Sequence, residues 1–106
     1  MGHTQIKLMP DYGCWPLWWS GKHPSDNIDP RTLPLSSETI ERLTAWSQIF
    51  DAQLNWDDPG STIWTAEFLQ NFEQEGLHLW DKLSGELGDK FEILYFSIGQ
   101  NQLLKR

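Results

Sequence analysis

Few residues in this 106-residue chain have the chemistry of a catalytic site. The chain holds one cysteine, Cys14, and three histidines, His3, His23 and His78. A cysteine becomes a nucleophile when a nearby base or positive charge lowers its pKa. Only the fold can bring His23 or His78 to Cys14. We keep an enzyme that uses Cys14 and a histidine as the weaker alternative, and we expect Cys14 to be a buried structural residue.

The remaining reactive side chains do not have the spacing of a known site. His78 lies on a predicted helix and has no His, Cys or acidic residue four positions later, which disfavours a metal site. Asp57 and Asp58 are paired carboxylates, but adjacent acids in a turn that ends in Pro-Gly are typical of a cap. No glycine-rich loop stands between a predicted strand and a helix. We therefore expect no catalytic residue, no metal, no cofactor and no small-molecule substrate.

Two helices are predicted in the middle of the chain. Ser36 is a good N-cap for the first helix. Apolar residues then follow at steps of three and four, which is typical of a helix. The helix should end near Leu54, with Asn55 as its C-terminal cap. The second helix should run from about 62–65 to 87, with Gly88 as a left-handed C-terminal glycine. Gly76, in mid-helix, is less favourable than Ala by about 1 kcal/mol. We expect another backbone to pack closely against it.

Strands are predicted before and after the helices. Alternation over residues 5–9 predicts a short first strand. Residues 91–96 are apolar on both faces apart from Glu92, which indicates a central strand. Residues 102–104 would form a last short strand. Between the first strand and the helices, residues 10–34 are rich in proline, glycine and aromatics, and we expect an irregular packed segment with a second short strand at 14–19.

This order of elements predicts the fold class. Strands on either side of two consecutive helices are typical of an α+β domain, in which the helix pair packs on one face of a small β-sheet. We expect one domain over residues 1–106, with residues 1–4 frayed.

Acidic residues are concentrated in one part of the chain, whose formal net charge is −7. Residues 38–92 hold twelve acidic and three basic residues. Binding to nucleic acid or to an anionic membrane is disfavoured, since both depend on Lys and Arg. The excess of carboxylates is either an ordinary solvated face or a surface that attracts a basic protein.

The sequence also indicates a cellular location. One cysteine excludes an internal disulfide, the N-terminus has no apolar signal-peptide region, and no apolar run approaches the ~20 residues of a membrane span. These features predict a cytoplasmic protein.

Seven tryptophans in so short a chain favour protein binding, because tryptophan anchors many interfaces. Two of them lie on helix stripes and are predicted core residues, Trp46 and Trp80. The other five lie in or beside predicted loops: Trp15, Trp18, Trp19, Trp56 and Trp64. Each of these five either caps the core or is exposed for binding.

Several motifs together resemble a family of small bacterial proteins. They are the opening segment MPDYGCWPLW at 9–18, LPLS at 33–36, a W…YD pattern at 46–51 in which Phe50 replaces the tyrosine, FEQEG at 72–76, LW at 79–80 and ELG at 86–88. The family is similar to the immunity proteins of contact-dependent inhibition and related polymorphic toxin systems. The resemblance spans roughly residues 8–96.

The resemblance implies a cytoplasmic protein that binds and neutralises a cognate toxin domain, often a basic nuclease. It also implies that the motif residues serve the fold more than contact with the toxin. Acids on the second helix and the turn before it, with neighbouring tryptophans, are our predicted partner-binding residues: Asp57, Asp58, Glu67, Glu73, Glu75, Trp56 and Trp64. The alternative from another class is a housekeeping adaptor or structural subunit that docks through the aromatic loop.

Overall fold

The computed structural model describes residues 4–11, 13–19, 27–53, 65–100 and 102–105. The elements follow one another as β1 (Thr4–Leu8), β2 (Leu17–Trp19), β3 (Asn27–Ile28), a 3-10 turn (Pro30–Thr32), α1 (Ser37–Gln53), α2 (Ala66–Leu87), β4 (Phe91–Ser97) and β5 (Gln102–Leu104). The chain is thus an α+β structure, as the order of predicted elements indicated.

The strands form one mixed sheet in the order β3-β2-β1-β4-β5. β1 and β4 are parallel, with Ile6 opposite Ile93, and the other neighbours are antiparallel. Two parallel neighbours need a long crossover between them, and α1 and α2 lie in that crossover. The predicted central position of residues 91–96 is confirmed, because β4 has β1 on one side and β5 on the other.

The sheet extends further into the segment 10–34 than the sequence predicted. β3 was not predicted. The Asn27 side chain joins it to the segment around β2 by binding backbone groups of that segment. Its amide Nδ2 donates to the carbonyl oxygens of Trp15 (2.7 Å) and Leu17 (2.9 Å). Thr4, expected in a frayed end, begins β1 and pairs with Phe91. Residues 1–3 lie outside the described residues.

Both helices begin at polar caps. Ser36 Oγ accepts a hydrogen bond from the Thr39 amide at 3.2 Å, so the predicted N-cap of α1 is confirmed. Thr65 Oγ1 caps α2 in the same way, from the Phe68 amide at 3.0 Å. Asn55, the predicted end of the first helix, lies outside the described residues.

Gly88 does not have the predicted left-handed conformation. Its φ is −60° and its amide donates to the Ser84 carbonyl oxygen at 2.9 Å, so it continues the last turn of α2. A second bond, from the Lys90 amide to the Leu87 carbonyl oxygen, then turns the chain into β4. The helix therefore ends through a right-handed turn.

The core lies between the helices and one face of the sheet. Its centre is Trp46 of α1, which stacks on Phe72 of α2 with ring centroids 4.4 Å apart and donates from Nε1 to the Phe72 carbonyl oxygen at 3.0 Å. Trp80 Nε1 donates in the same way to the Ile93 carbonyl oxygen of β4 at 2.9 Å. Both indole N–H groups are buried and hydrogen-bonded, as buried tryptophans require.

Gly76 lets α2 lie directly on an aromatic ring. A Cβ at this position would be 2.8 Å from Cζ of Tyr95 and would overlap its hydroxyl oxygen. We expected a neighbouring backbone here, and that expectation was wrong, because the close neighbour is the Tyr95 side chain of β4. Tyr95 is itself fully buried, so it has no room to move away.

Replacing Gly76 with alanine should destabilise the protein by about 1–3 kcal/mol, because overpacking outweighs the gain in helix propensity. Gly85→Ala is the matched control on the same helix. A Cβ at Gly85 meets nothing within 4 Å, so this variant should gain about 0.4–1 kcal/mol. Urea unfolding of both variants measures the two signs. A stabilised Gly76→Ala protein would contradict the packing.

Candidate functional site

Two side chains of α1 hold the segment at 9–18 by hydrogen bonds to its backbone. The Gly13 amide donates to Asp51 Oδ1 at 3.0 Å, and Ser47 Oγ donates to the Cys14 carbonyl oxygen at 3.1 Å. Ser47 and Asp51 lie one turn apart on α1 and so face the same side. Gly13 has φ +70°, a conformation that favours glycine.

A cleft of about 440 Å³ lies between this segment and α1. Cys14 lies in its wall and is partly exposed, so the expectation of a buried cysteine was wrong. Burial of the thiol, together with the negative charges of Asp11 and Asp51, raises the pKa of Cys14. This is the opposite of nucleophile activation. Among the described residues, those that line the cleft include no histidine.

His78, the one histidine among the described residues, does not line the cleft at Cys14. His78 is exposed on α2, with Nδ1 3.8 Å from Glu75 Oε1. His3 and His23 lie outside the described residues. Within the described parts of the chain, no three His, Cys, Asp or Glu side chains gather as a metal site.

Two of the predicted partner-binding acids are occupied inside the fold. Glu73 accepts hydrogen bonds from the Tyr95 hydroxyl and Ser97 Oγ of β4. Burial, with the bond to Glu73, raises the pKa of Tyr95. On the other side of α2, the Glu75 carboxylate accepts two hydrogen bonds from the Arg42 guanidinium of α1, at 3.0 and 2.6 Å. The two carboxylates therefore point apart, one to the sheet and one to α1.

The other predicted partner-binding residues are not in one described cluster. Glu67 is exposed in the first turn of α2. Trp56, Asp57, Asp58 and Trp64 lie outside the described residues, so they stay predictions.

Three tryptophans in and directly after the opening segment contact other described residues. Trp18 is buried and donates from Nε1 to the Met9 carbonyl oxygen at 3.1 Å. The Trp19 ring lies 5.7 Å from that of Phe91, and the Arg31 guanidinium lies 5.3 Å from the Trp15 ring centroid. Among these three described rings, Trp18 is buried and Trp15 and Trp19 are partly buried.

The two helices have a net negative formal charge. They carry eight acidic and two basic residues. Both bases are already paired with acids, Arg42 with Glu75 at 2.6 Å and Lys82 with Glu38 at 3.2 Å. Glu41 is a further exposed acid, which we did not place in the predicted site. The sequence could not distinguish Glu41 from Glu73, because both are glutamates on predicted helices and only the fold decides which one faces solvent.

A family model described as Serratia CdiI immunity protein-like matches residues 4–98, which run from β1 to the turn after β4. The chain belongs to this family. No curated protein matches it.

In this member of the CdiI immunity protein-like family, the motif residues hold the helices and the sheet together. Trp46 and Asp51 bind α2 and the opening segment, as described above. The side chains of Glu73 and Trp80 form hydrogen bonds with β4, and Gly76 leaves room for the Tyr95 ring. The inference that these motifs hold the fold thus agrees with their contacts.

Within the described residues, neither helix is long and apolar enough to span a membrane.

Glu86 of the ELG motif joins the end of α2 to the start of α1. It accepts from the Ser36 amide at 2.7 Å, from Ser36 Oγ at 3.3 Å and from the Thr39 hydroxyl. Partial burial raises the pKa of Glu86, but the hydrogen bonds from Thr39 and Ser36 outweigh it, so the pKa lies below its ordinary value. The charged carboxylate therefore stabilises the folded state.

We expect the contribution of Glu86 to depend on pH in acid. Because its pKa is lower in the folded state, the stabilisation is complete above the unfolded pKa of about 4.3 and is lost as pH falls through the folded pKa. The difference in unfolding free energy between wild type and Glu86→Gln should therefore shrink from pH 7 to pH 3. Urea unfolding at several pH values measures it. Glu41→Gln, at an exposed acid of α1, is the control, and an equal pH dependence there would contradict the role of Glu86.

Proposed function

We propose that the chain is an immunity protein that binds a cognate bacterial toxin domain in the cytoplasm and neutralises it. The observation that carries this proposal is the family match, which covers all the described helices and four of the five described strands. A protein can inhibit by occlusion with a rigid surface and needs no reactive residue for it. The raised pKa of Cys14 supports a non-catalytic role.

The charge of the helix surface favours a nuclease as the toxin. An enzyme that acts on nucleic acid needs Lys and Arg to bind phosphates. An inhibitor that covers such a site is complementary to it when its own surface is acidic. The helix pair, with eight acids and two bases that are both paired, has this property.

We assign the attraction of the toxin to exposed carboxylates. Glu67 keeps its predicted role, and Glu41 joins it, since both are exposed on the helix pair. Glu73 and Glu75 add negative charge but are held by intramolecular bonds, so their main contribution is to the fold. Four residues around the start of α2 stay predicted contacts: Trp56, Asp57, Asp58 and Trp64.

Co-expression tests the function directly. Cells that produce the toxin domain encoded beside this gene should grow when the chain is also produced and should stop growing without it. The two proteins should co-purify as a complex. Growth arrest despite full production of the folded chain would refute the proposal, and capture of an unrelated complex in place of the toxin would favour the adaptor.

Association with the toxin domain should depend strongly on salt. Steering by opposite charge accelerates encounter by about 10–1,000-fold, and salt screens it. We expect the association rate constant, measured by stopped-flow tryptophan fluorescence, to fall about tenfold or more as NaCl is raised, with little change in the dissociation rate. The double variant Glu41→Gln/Glu67→Gln should associate more slowly at low salt and match wild type at high salt. A rate that is insensitive to salt would exclude steering.

A further inference from the structure

An apolar notch opens on the surface between α1 and α2. It has a volume of about 140 Å³ and is lined by Trp46, Ile49, Phe68, Asn71, Phe72 and Glu75. Three of these are aromatic rings in one continuous stack, with Phe72 between its neighbours, 4.4 Å from Trp46 and 5.6 Å from Phe68. The wall of the notch is therefore the edge of the protein's own core.

Ile49 forms the exposed part of this wall. Its side chain is 48% exposed, the largest exposure among the described large apolar residues, although it lies one helical turn from buried Trp46. Interface hot spots lie in well-packed pockets that binding removes from water, and a partner side chain placed against Ile49 and the ring stack would be in such a pocket.

The size of the notch limits what it can hold. Pockets for small molecules have volumes of about 300–1,000 Å³, which is more than twice the space available here. A cavity of about 150 Å³ accepts a benzene ring. The notch thus has room for one aromatic or branched side chain and not for a metabolite.

Acidic residues lie at the notch and near it. Glu75 is part of its lining and binds Arg42 at 2.6 Å. Glu67 directly precedes Phe68 on α2 and is exposed, while Glu41 lies further away on α1, about 12 Å before Ile49. A negatively charged neighbourhood is complementary to an apolar side chain flanked by Lys or Arg.

We propose that this notch is the anchor point of the toxin, which inserts one apolar side chain from a basic surface between α1 and α2. The inference rests on the proposed function and adds to it the place on the chain where the toxin is held. Affinity comes from the buried side chain in the notch, while Glu41 and Glu67 accelerate the encounter. The carboxylates that fasten the fold, Glu73 and Glu75, are not the anchor.

A pair of matched variants tests the proposal. Ile49→Asn removes the apolar wall without adding charge, and Leu77→Asn makes the same kind of change at a residue of α2 that is 41% exposed and does not line the notch. We expect calorimetric titration with the toxin domain to show that Ile49→Asn binds at least about tenfold more weakly than wild type. The affinity of Leu77→Asn should be within about twofold of the wild-type value. Ile49→Val keeps the apolar wall and should bind as wild type does.

Each outcome has one meaning. Thermal unfolding first establishes that the variants are folded. If Ile49→Asn is not folded, Ile49→Ala, which also removes most of the apolar wall and suits a helix, serves as the test. If wild type binds the toxin and Ile49→Asn binds equally well, or if Leu77→Asn is weakened as much, the notch is not the anchor although the proposed function stands. If wild type itself binds no toxin, the proposed function fails, and the anchor with it.

Discussion

Trp46 connects the parts of this protein that would otherwise pack separately. α1 lies mainly against α2, and α2 in turn lies against β4. Trp46 projects from α1, stacks on Phe72 of α2, and reaches within 6.4 Å of the Tyr95 ring of β4. Its indole N–H also satisfies the Phe72 carbonyl oxygen. Because one rigid ring contacts all three elements, the relative position of the helices and the sheet depends on it.

The carboxylates of this acidic chain have two separate uses. Some are fastened into the fold, since Glu73 binds the hydroxyls of β4, Glu75 binds Arg42, and Glu86 binds the start of α1. Others, such as Glu41, face solvent. A carboxylate held by several donors resists reorganisation, whereas an exposed one acts through its field. The same residue type thus supplies rigidity in one place and, in the proposed function, attraction of the toxin in another.

The division between motif residues and free surface bears on how a family of inhibitors diverges. The motif residues Asp51, Gly76 and Trp80 meet other parts of the same chain and leave little of themselves for a partner. Ile49 and Glu67 lie between motif positions on the helix surfaces. Changes at such positions alter the surface without disturbing the contacts that hold the helices, so the fold and the specificity can vary independently.

By itself the sequence determined the two helices, the N-cap at Ser36, the central strand at 91–96, the fold class and the family. These follow from local chemistry: the period of apolar residues, a hydroxyl at a cap, and motifs in order. Tertiary structure alone decided the rest. β3 exists through Asn27, Gly76 is required by the Tyr95 ring, and Glu73 and Glu75 point to opposite sides of α2. The physical reason is that each of these depends on a partner distant in sequence, and whether a carboxylate faces a donor or solvent is set by what the fold places beside it.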